Sequence, residues 1–482
     1  GRPGMDFVSL VFAMFKAGVV TILIDPGMGR RGMIRCLAET DPAGFVGISP
    51  AQAVRSVLRR RFANATLNVT VGRRWFWGGK TLKQLRERTS SGLPLPRTRF
   101  DDPAAIIFTT GSTGPPKGVL YQHGNFVHQA KEIQRFYDIE SGEVDLPAFP
   151  LFALFNCAMG VSTVIPDMDP TRPANVDPTK IVEAIHDWDV TQSFGSPAPW
   201  NVVGKHCEAQ SIQMPTLRRV LSAGAPVPVH VLKRMKKAIH PAGDVHTPYG
   251  ATESLPVASI AASEVLMETA DMTAKGSGTC VGRRFPEIQW KVVRIEDGPI
   301  REIEQVDELP VGEIGELMVR GPVVTQQYVT RTDANALHKV RDHDIFWHRI
   351  GDVGYLDEKE RFWFCGRKSH RVLTENGPMY TVVCEAVFNQ LESVYRSALV
   401  PIGEPGHHLP VLIVETWPEH RPRTADAKRR LMEQLHHVAQ QHEHTRCIER
   451  FLVHNAFPVD IRHNAKIFRE KLAVWAARKM KY

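Results

Sequence analysis

The 482-residue chain contains no Cys-x-x-Cys pair, no apolar stretch long enough to cross a bilayer, no internal repeat and no low-complexity tract. Each absence closes off a class of protein. Seven scattered cysteines, an odd number, make neither a disulfide framework nor a structural zinc site and suit a reducing compartment. The most membrane-like segment, Phe7 to Ile24, is broken by Lys16 and Gly18 and stops at Asp25-Pro26. It is expected to be a helix over Met5–Ala17 and a strand over Val19–Ile24, not a transmembrane segment. The opening Gly1-Arg2-Pro3-Gly4-Met5 lacks a charged-then-apolar leader, so export is not expected and a cytoplasmic location is. Net charge is +8 with a pI near 9.1, but the excess is dispersed. Its densest runs, Arg59 to Arg61 and Lys233 to Lys237, are short, and no recognition motif accompanies them. Nucleic acid is therefore not an expected partner.

A hydrophobic content of 43% and a charged content of 23% are those of a soluble globular protein, long enough for two or three domains. In the first half, helical and strand-like patterns alternate. Strands are expected at Gly44–Ile48, Leu67–Val71, Ala104–Phe108, Asp145–Leu151, Gln192–Phe194, Leu217–Ser222 and Asp244–Thr247. Helices are expected at Met33–Glu39, Ala51–Ala63, Asn125–Phe136, Thr179–Trp188 and Val227–Ile239. Alternation of this kind builds a sheet covered by helices. From about Gly276 shorter strands and many glycines suggest a small β-barrel or sheet, and the composition changes again after Gly366-Arg367. The expected fold class is mixed α/β, with a domain boundary at Arg367–Arg371. The last part carries strands at Ala398–Pro401, Pro410–Glu415 and Glu449–His454 and a long helix at Ala425–His442.

The stretch around which the chain is organised is Thr109-Thr110-Gly111-Ser112-Thr113-Gly114-Pro115-Pro116-Lys117-Gly118, just after the apolar run Ala104–Phe108. Glycines let successive backbone N–H groups turn inward, hydroxyls add donors, and Lys117 adds charge, so the loop can wrap a polyphosphate. A polar surface turn is the alternative. It is not a Walker A loop, because no Gly-Lys-Ser/Thr closes it. Four further motifs follow in order. Leu221-Ser222-Ala223-Gly224-Ala225-Pro226 ends a strand in small residues, against which a flat ring could lie. Tyr249-Gly250-Ala251-Thr252-Glu253 offers an aromatic face, a hydroxyl and a carboxylate. Ile350-Gly351-Asp352 places a carboxylate after a glycine, and Gly366-Arg367 adds a cation. Asn464-Ala465-Lys466-Ile467-Phe468-Arg469 supplies a second lysine near the C-terminus.

In this order the motifs resemble those of the acyl-adenylate-forming superfamily over essentially the whole chain; Gly312-Glu313-Ile314-Gly315-Glu316 through Arg320-Gly321-Pro322 fits as well. Three stretches are similar to the β-lactone synthetases of bacterial long-chain olefin biosynthesis: Phe149 to Asn156, Glu375 to Asn389, and Val459 to Lys466. The resemblance implies an adenylation domain over 1–366, with the barrel part at about 276–366. It further implies a hinge at 367–370, a smaller mobile α+β lid over 371–482, and residues preceding Gly1.

By the same resemblance ATP and Mg²⁺ are the cofactors. Thr109, Thr110, Gly111, Ser112, Thr113, Gly114 and Lys117 would hold the phosphates. Gly224, Ala225 and Pro226 would line the adenine, with Tyr249 stacked on it beside Gly250. Thr252 would contact the α-phosphate, and Glu253 with Thr113 would hold the metal. Asp352 would bind the ribose hydroxyls with Arg367 beside it, and Lys466 would reach the α-phosphate and the substrate carboxylate. Phe149, Phe152, Ala153 and Phe155 would line an acyl pocket. The implied substrate is a long-chain 2-alkyl-3-hydroxy acid, adenylated and then cyclised to a β-lactone. The alternative is an acyl-CoA synthetase. Association with other olefin-pathway enzymes is also implied. The chain departs from the superfamily pattern at Ala153, where a histidine or other gating residue is usual, at Ala465 in place of glycine, and at the hinge, Ser369 or His370.

Overall fold

The computed structural model describes residues 4–24, 28–87, 94–109, 115–149, 151–459 and 466–480. Its largest element is a sheet of twelve strands among these residues. One half is parallel, in the order Ser162–Thr163, Val144–Asp145, Gln192–Gly195, Arg219–Ser222 and Asp244–Ala251. Successive side chains on a strand face opposite ways. Val220 packs with Trp200, Val231 and Met235 of the helices Pro197–Gln210 and Val229–Ala238. Leu221 joins a second core with Ile133 and Tyr137, at the end of the helix His123–Phe136. Both faces of these strands are thus covered, as parallel pairing requires.

The other half is antiparallel. Ser254–Ala261 folds back on Asp244–Ala251, and Thr279–Arg284, Phe362–Arg367, Ile345–Leu356, Gly315–Arg320 and Gln289–Val293 continue the sheet. The strands expected for the small barrel make up this half, joined to the rest where Thr279–Arg284 meets Ser254–Ala261. A smaller sheet pairs Thr21–Leu23, Pro103–Phe108 and Gly118–Gln122, the last two flanking the phosphate-type loop. After a 3-10 turn at Lys368–His370, Val394–Ile402, Leu409–Thr416 and Arg450–Val453 form a separate sheet. Leu399 and Leu412 pack on Leu431 and Leu435 of the helix Ala425–Gln441, while Ala398 and Val411 pack on Leu472 and Ala476 of the helix Arg469–Met480.

Several elements differ from the sequence expectation. The strand expected through Leu151 is only Val144–Asp145, and Phe152–Met159 is a helix. It is apolar apart from Asn156, so no 3.6-residue period marks it. Helix Pro197–Gln210 is absent from the sequence expectation; its prolines are well placed in a first helical turn. Thr381–Phe388 is β-branched in sequence and helical in the fold, where burial of six of its eight residues overrides local preference. No helix among the described residues is long and apolar enough to cross a membrane.

Candidate active site

A cleft of about 760 Å³ draws its lining from both halves of the large sheet, from the strands around the phosphate-type loop and from the C-terminal segment. It brings together Thr109, Lys117, Gly224, Gly250, Thr252, Glu253, Arg367 and Lys466, which lie far apart in sequence. Thr110, Gly111, Ser112, Thr113 and Gly114 lie outside the described residues, as do Asn464 and Ala465. Five cationic side chains line the cleft (Lys117, Arg331, Arg367, Lys368 and Lys466) against two carboxylates, Glu253 and Asp333. Such an excess concentrates polyanions.

The loop is closed at its neck, where the Thr109 N–H donates to the Lys117 carbonyl and the Lys117 N–H to Thr109 Oγ1, both at 3.0 Å. Lys117 Nζ lies 3.2 Å from His338 Nε2 and 4.6 Å from the Tyr328 ring centroid. Burial lowers its pKa, and the charge of Glu253 opposes the shift. Thr252 and Glu253 occupy the turn between Asp244–Ala251 and Ser254–Ala261. The Tyr121 hydroxyl donates to the Thr252 carbonyl, and the Tyr328 hydroxyl donates to Glu253 Oε1 at 2.6 Å.

Gly224 lies in the left-handed region (φ 91°) at the end of its strand, which lets the backbone turn along the cleft without a side chain. Ala223 and Gly224 line the cleft here, and the chain runs on through Ala225 and Pro226 to the helix at Val229. The Tyr249 ring packs near Phe362 and Phe364, and its hydroxyl donates to Asp352 Oδ2. Asp352 is 3% exposed, next to Ile350 and Gly351 in the cleft wall. Burial raises its pKa, and Arg367 opposes the rise with Nη1 2.9 Å from Oδ1. That nitrogen directs its hydrogen bond to the Ile350 carbonyl, so Oδ1 makes an ion pair but has no hydrogen bond among the described residues. Next along the chain, Lys368 Nζ reaches Glu316 Oε2 at 3.0 Å, and Arg349 Nη2 holds the same fully buried oxygen at 2.6 Å.

The far wall is apolar. Phe149, Phe152 and Phe155 line it, with Phe194, Ile133 and Tyr137. Phe152 stacks on Phe194 with centroids 4.2 Å apart. Its helix is tied down by Asn156 Nδ2, which donates to Asp145 Oδ2 at 2.6 Å and to Thr163 Oγ1 at 3.0 Å. Ala153 belongs instead to a second cavity, bounded by the helix Met5–Lys16. One helical position from Phe152, it points about 100° around the axis. Arg331, His338 and Lys368 line the cleft without having been singled out in sequence. Only Lys368, adjacent to Arg367, had a signal.

These residues fit a nucleotide and its cation. The Asp352 oxygen without a hydrogen bond suits a hydroxyl donor. Among the described residues no three His, Cys, Asp or Glu side chains form a metal site. Glu253 alone supplies what Mg²⁺ takes when phosphate oxygens complete its shell. The model of the AMP-binding enzyme family matches residues 1–329. The chain belongs to that family. AMP-binding enzymes use ATP. This family member is 46% identical, over 99% of its length and 85% of the relative's, to the olefin beta-lactone synthetase of Xanthomonas campestris pv. campestris. It is 47% identical, over the same shares, to that of Stenotrophomonas maltophilia. Among solved structures it is similar in fold to an amide bond synthetase from Marinactinospora thermotolerans, with a TM-score of 0.77 at 21% identity over 98% of this chain and 87% of that one. The O-succinylbenzoate coenzyme A synthetase of Bacillus subtilis, in complex with ATP and magnesium ion, gives 0.73 at 19% over 97% and 86%.

Proposed function

We propose that this AMP-binding enzyme adenylates a long-chain 2-alkyl-3-hydroxy fatty acid and closes the adenylate to a β-lactone, releasing pyrophosphate and AMP. The observation that carries this reading is the 46–47% identity, across 99% of the chain, to two olefin beta-lactone synthetases. The cleft supports it, joining a cationic end to an aromatic wall. Lys466, Lys117 and Arg367 offset the repulsion between the substrate carboxylate and the triphosphate, and such fixed charges act most strongly where charge develops in the transition state. Glu253, with Thr113, would hold Mg²⁺, which would supply neutralisation of phosphate charge. Asp352 accepts from the ribose, Gly224 and Gly250 border the base, Thr252 contacts the α-phosphate, and Phe149, Phe152 and Phe155 receive alkyl chain.

In the second step the substrate's own 3-hydroxyl attacks the activated carbonyl; the C–O bond of the lactone forms as the bond to AMP breaks. Intramolecular attack gains effective molarities up to about 10⁵–10⁸ M when well oriented. His338 lines the cleft, but its nitrogens are engaged by Lys117 and the Arg349 carbonyl. We assign the hydroxyl proton to a phosphate oxygen of the departing nucleotide. A cytoplasmic location and association with other olefin-pathway enzymes belong to the same reading.

The test is incubation with ATP, Mg²⁺ and a 2-alkyl-3-hydroxy acid, with and without coenzyme A. Lactone formed without coenzyme A is expected. A thioester formed only in its presence would instead make the chain an acyl-CoA synthetase.

A further inference from the structure

Tyr328 lies 75 residues from Glu253 and 211 from Lys117 in sequence, is 1% exposed, and touches both. Its hydroxyl donates to Glu253 Oε1 at 2.6 Å, and its ring lies 4.6 Å from Lys117 Nζ. The backbone around it is bonded to both partners' elements. The Thr325 N–H donates to the Glu253 carbonyl at 2.9 Å, and the Val329 N–H to the Gly118 carbonyl at 2.9 Å. The Gly118 N–H donates to Thr330 Oγ1 at 2.7 Å. Asn335 fixes Tyr328 itself, accepting from its N–H at 2.8 Å and donating to its carbonyl at 3.0 Å.

We propose that Tyr328 is a positioning residue that sets the distance between the phosphate lysine and the metal carboxylate. This rests on the reading of Lys117 and Glu253 given above. The hydroxyl occupies one carboxylate oxygen of Glu253, a residue that lines the cleft. The ring face attracts the Lys117 ammonium, which His338 Nε2 holds from another side. A hydroxyl on one edge and a π-face thus serve two groups of opposite charge through one rigid side chain. Nothing in the sequence near Tyr328 announces this, because the contact exists only once 325–330 lies between the two strands.

The test uses Tyr328→Phe and Tyr328→Leu in the whole enzyme, each assayed well below its own melting midpoint. Isothermal titration measures binding of an α,β-methylene ATP analogue with EDTA and across a Mg²⁺ series. Outer-shell partners of metal ligands are worth about 10–100-fold in metal affinity. Tyr328→Phe is therefore expected to raise the Mg²⁺ concentration for half-maximal enhancement about tenfold or more, while binding in EDTA stays at the wild-type level. Tyr328→Leu, which also removes the ring, is expected to weaken binding in EDTA as well. In the double variant with Glu253→Gln the two Mg²⁺ effects should not add. An unchanged Mg²⁺ midpoint in Tyr328→Phe, with Glu253→Gln shifted, overturns the proposal alone. Unchanged midpoints in both overturn it together with the role of Glu253.

Discussion

Arg469 Nη2 donates to Glu385 Oε2 at 2.6 Å, three residues along the chain from Lys466. The other oxygen of Glu385 accepts from the Leu399 N–H at 2.8 Å, which ties this carboxylate to the C-terminal sheet. The Phe468 N–H donates to the Pro458 carbonyl at 2.9 Å, and Val459 bridges Ile467. Lys466 is therefore aimed from a braced segment. Glu385→Gln leaves Arg469 without its counter-charge in a largely buried site, a loss of about 3–5 kcal/mol. A lower melting temperature and slower acid-dependent pyrophosphate exchange are expected together. Wild-type exchange in a destabilised Glu385→Gln would show that the brace does not aim Lys466.

Lys466→Ala separates the two chemical steps. Removing one preorganised charge costs about 10²–10³ in rate. Adenylation should fall by that much or more, with the melting temperature unchanged. Lactone formation from a synthetic acyl adenylate supplied to the same variant should fall far less. Equal losses in both assays would place Lys466 in ring closure as well.

Asp352→Asn tests the ribose assignment. The substitution keeps the shape but weakens acceptance from both the Tyr249 hydroxyl and the sugar. Wild type should prefer ATP to 2′,3′-dideoxy-ATP in KM by roughly tenfold or more, the scale of a hydrogen bond to a charged group. The variant should lose most of that preference. A preference retained in full would assign the hydroxyls elsewhere.

Lys339 gives a pH dependence. It is 6% exposed and donates to the Thr325 carbonyl, and burial depresses its pKa to about 7 against the pull of Glu253. The unfolded chain, with an ordinary lysine pKa of about 10.4, binds the extra proton between those values. Unfolding free energy should therefore rise from about pH 7 to about pH 10 through this group. Lys339→Met should be relatively more stable at pH 7, with the difference from wild type shrinking toward pH 10. Urea titrations at several pH values measure it, and a pH-independent difference would mean that Lys339 keeps its ordinary pKa.

Much of this was legible because the cleft is built from strand ends and turns with unusual local composition. Lys117, Gly224, Glu253 and Arg367 each stand in a short glycine-containing motif, and the fold brings those motifs to one place. The hydrogen bond from the Tyr249 hydroxyl to Asp352 had no local signal, since its partner lies 103 positions away. Tyr328, His338 and Glu385 have no local signal, since each acts through a partner that only tertiary structure supplies. The helix missed at Thr381–Phe388 is largely buried, and burial removes the polar face from which helical periodicity is read.

Glu316 holds two cations at once, Arg349 within the sheet and Lys368 in the turn that leads to the C-terminal segment. If that turn swings, Lys368 can return to water while Arg349 continues to neutralise the carboxylate. The interior is never left with a bare charge, which would cost several kcal/mol. The attachment therefore resembles a latch: firm enough to register the turn against the sheet, and releasable without unpicking the core beneath it.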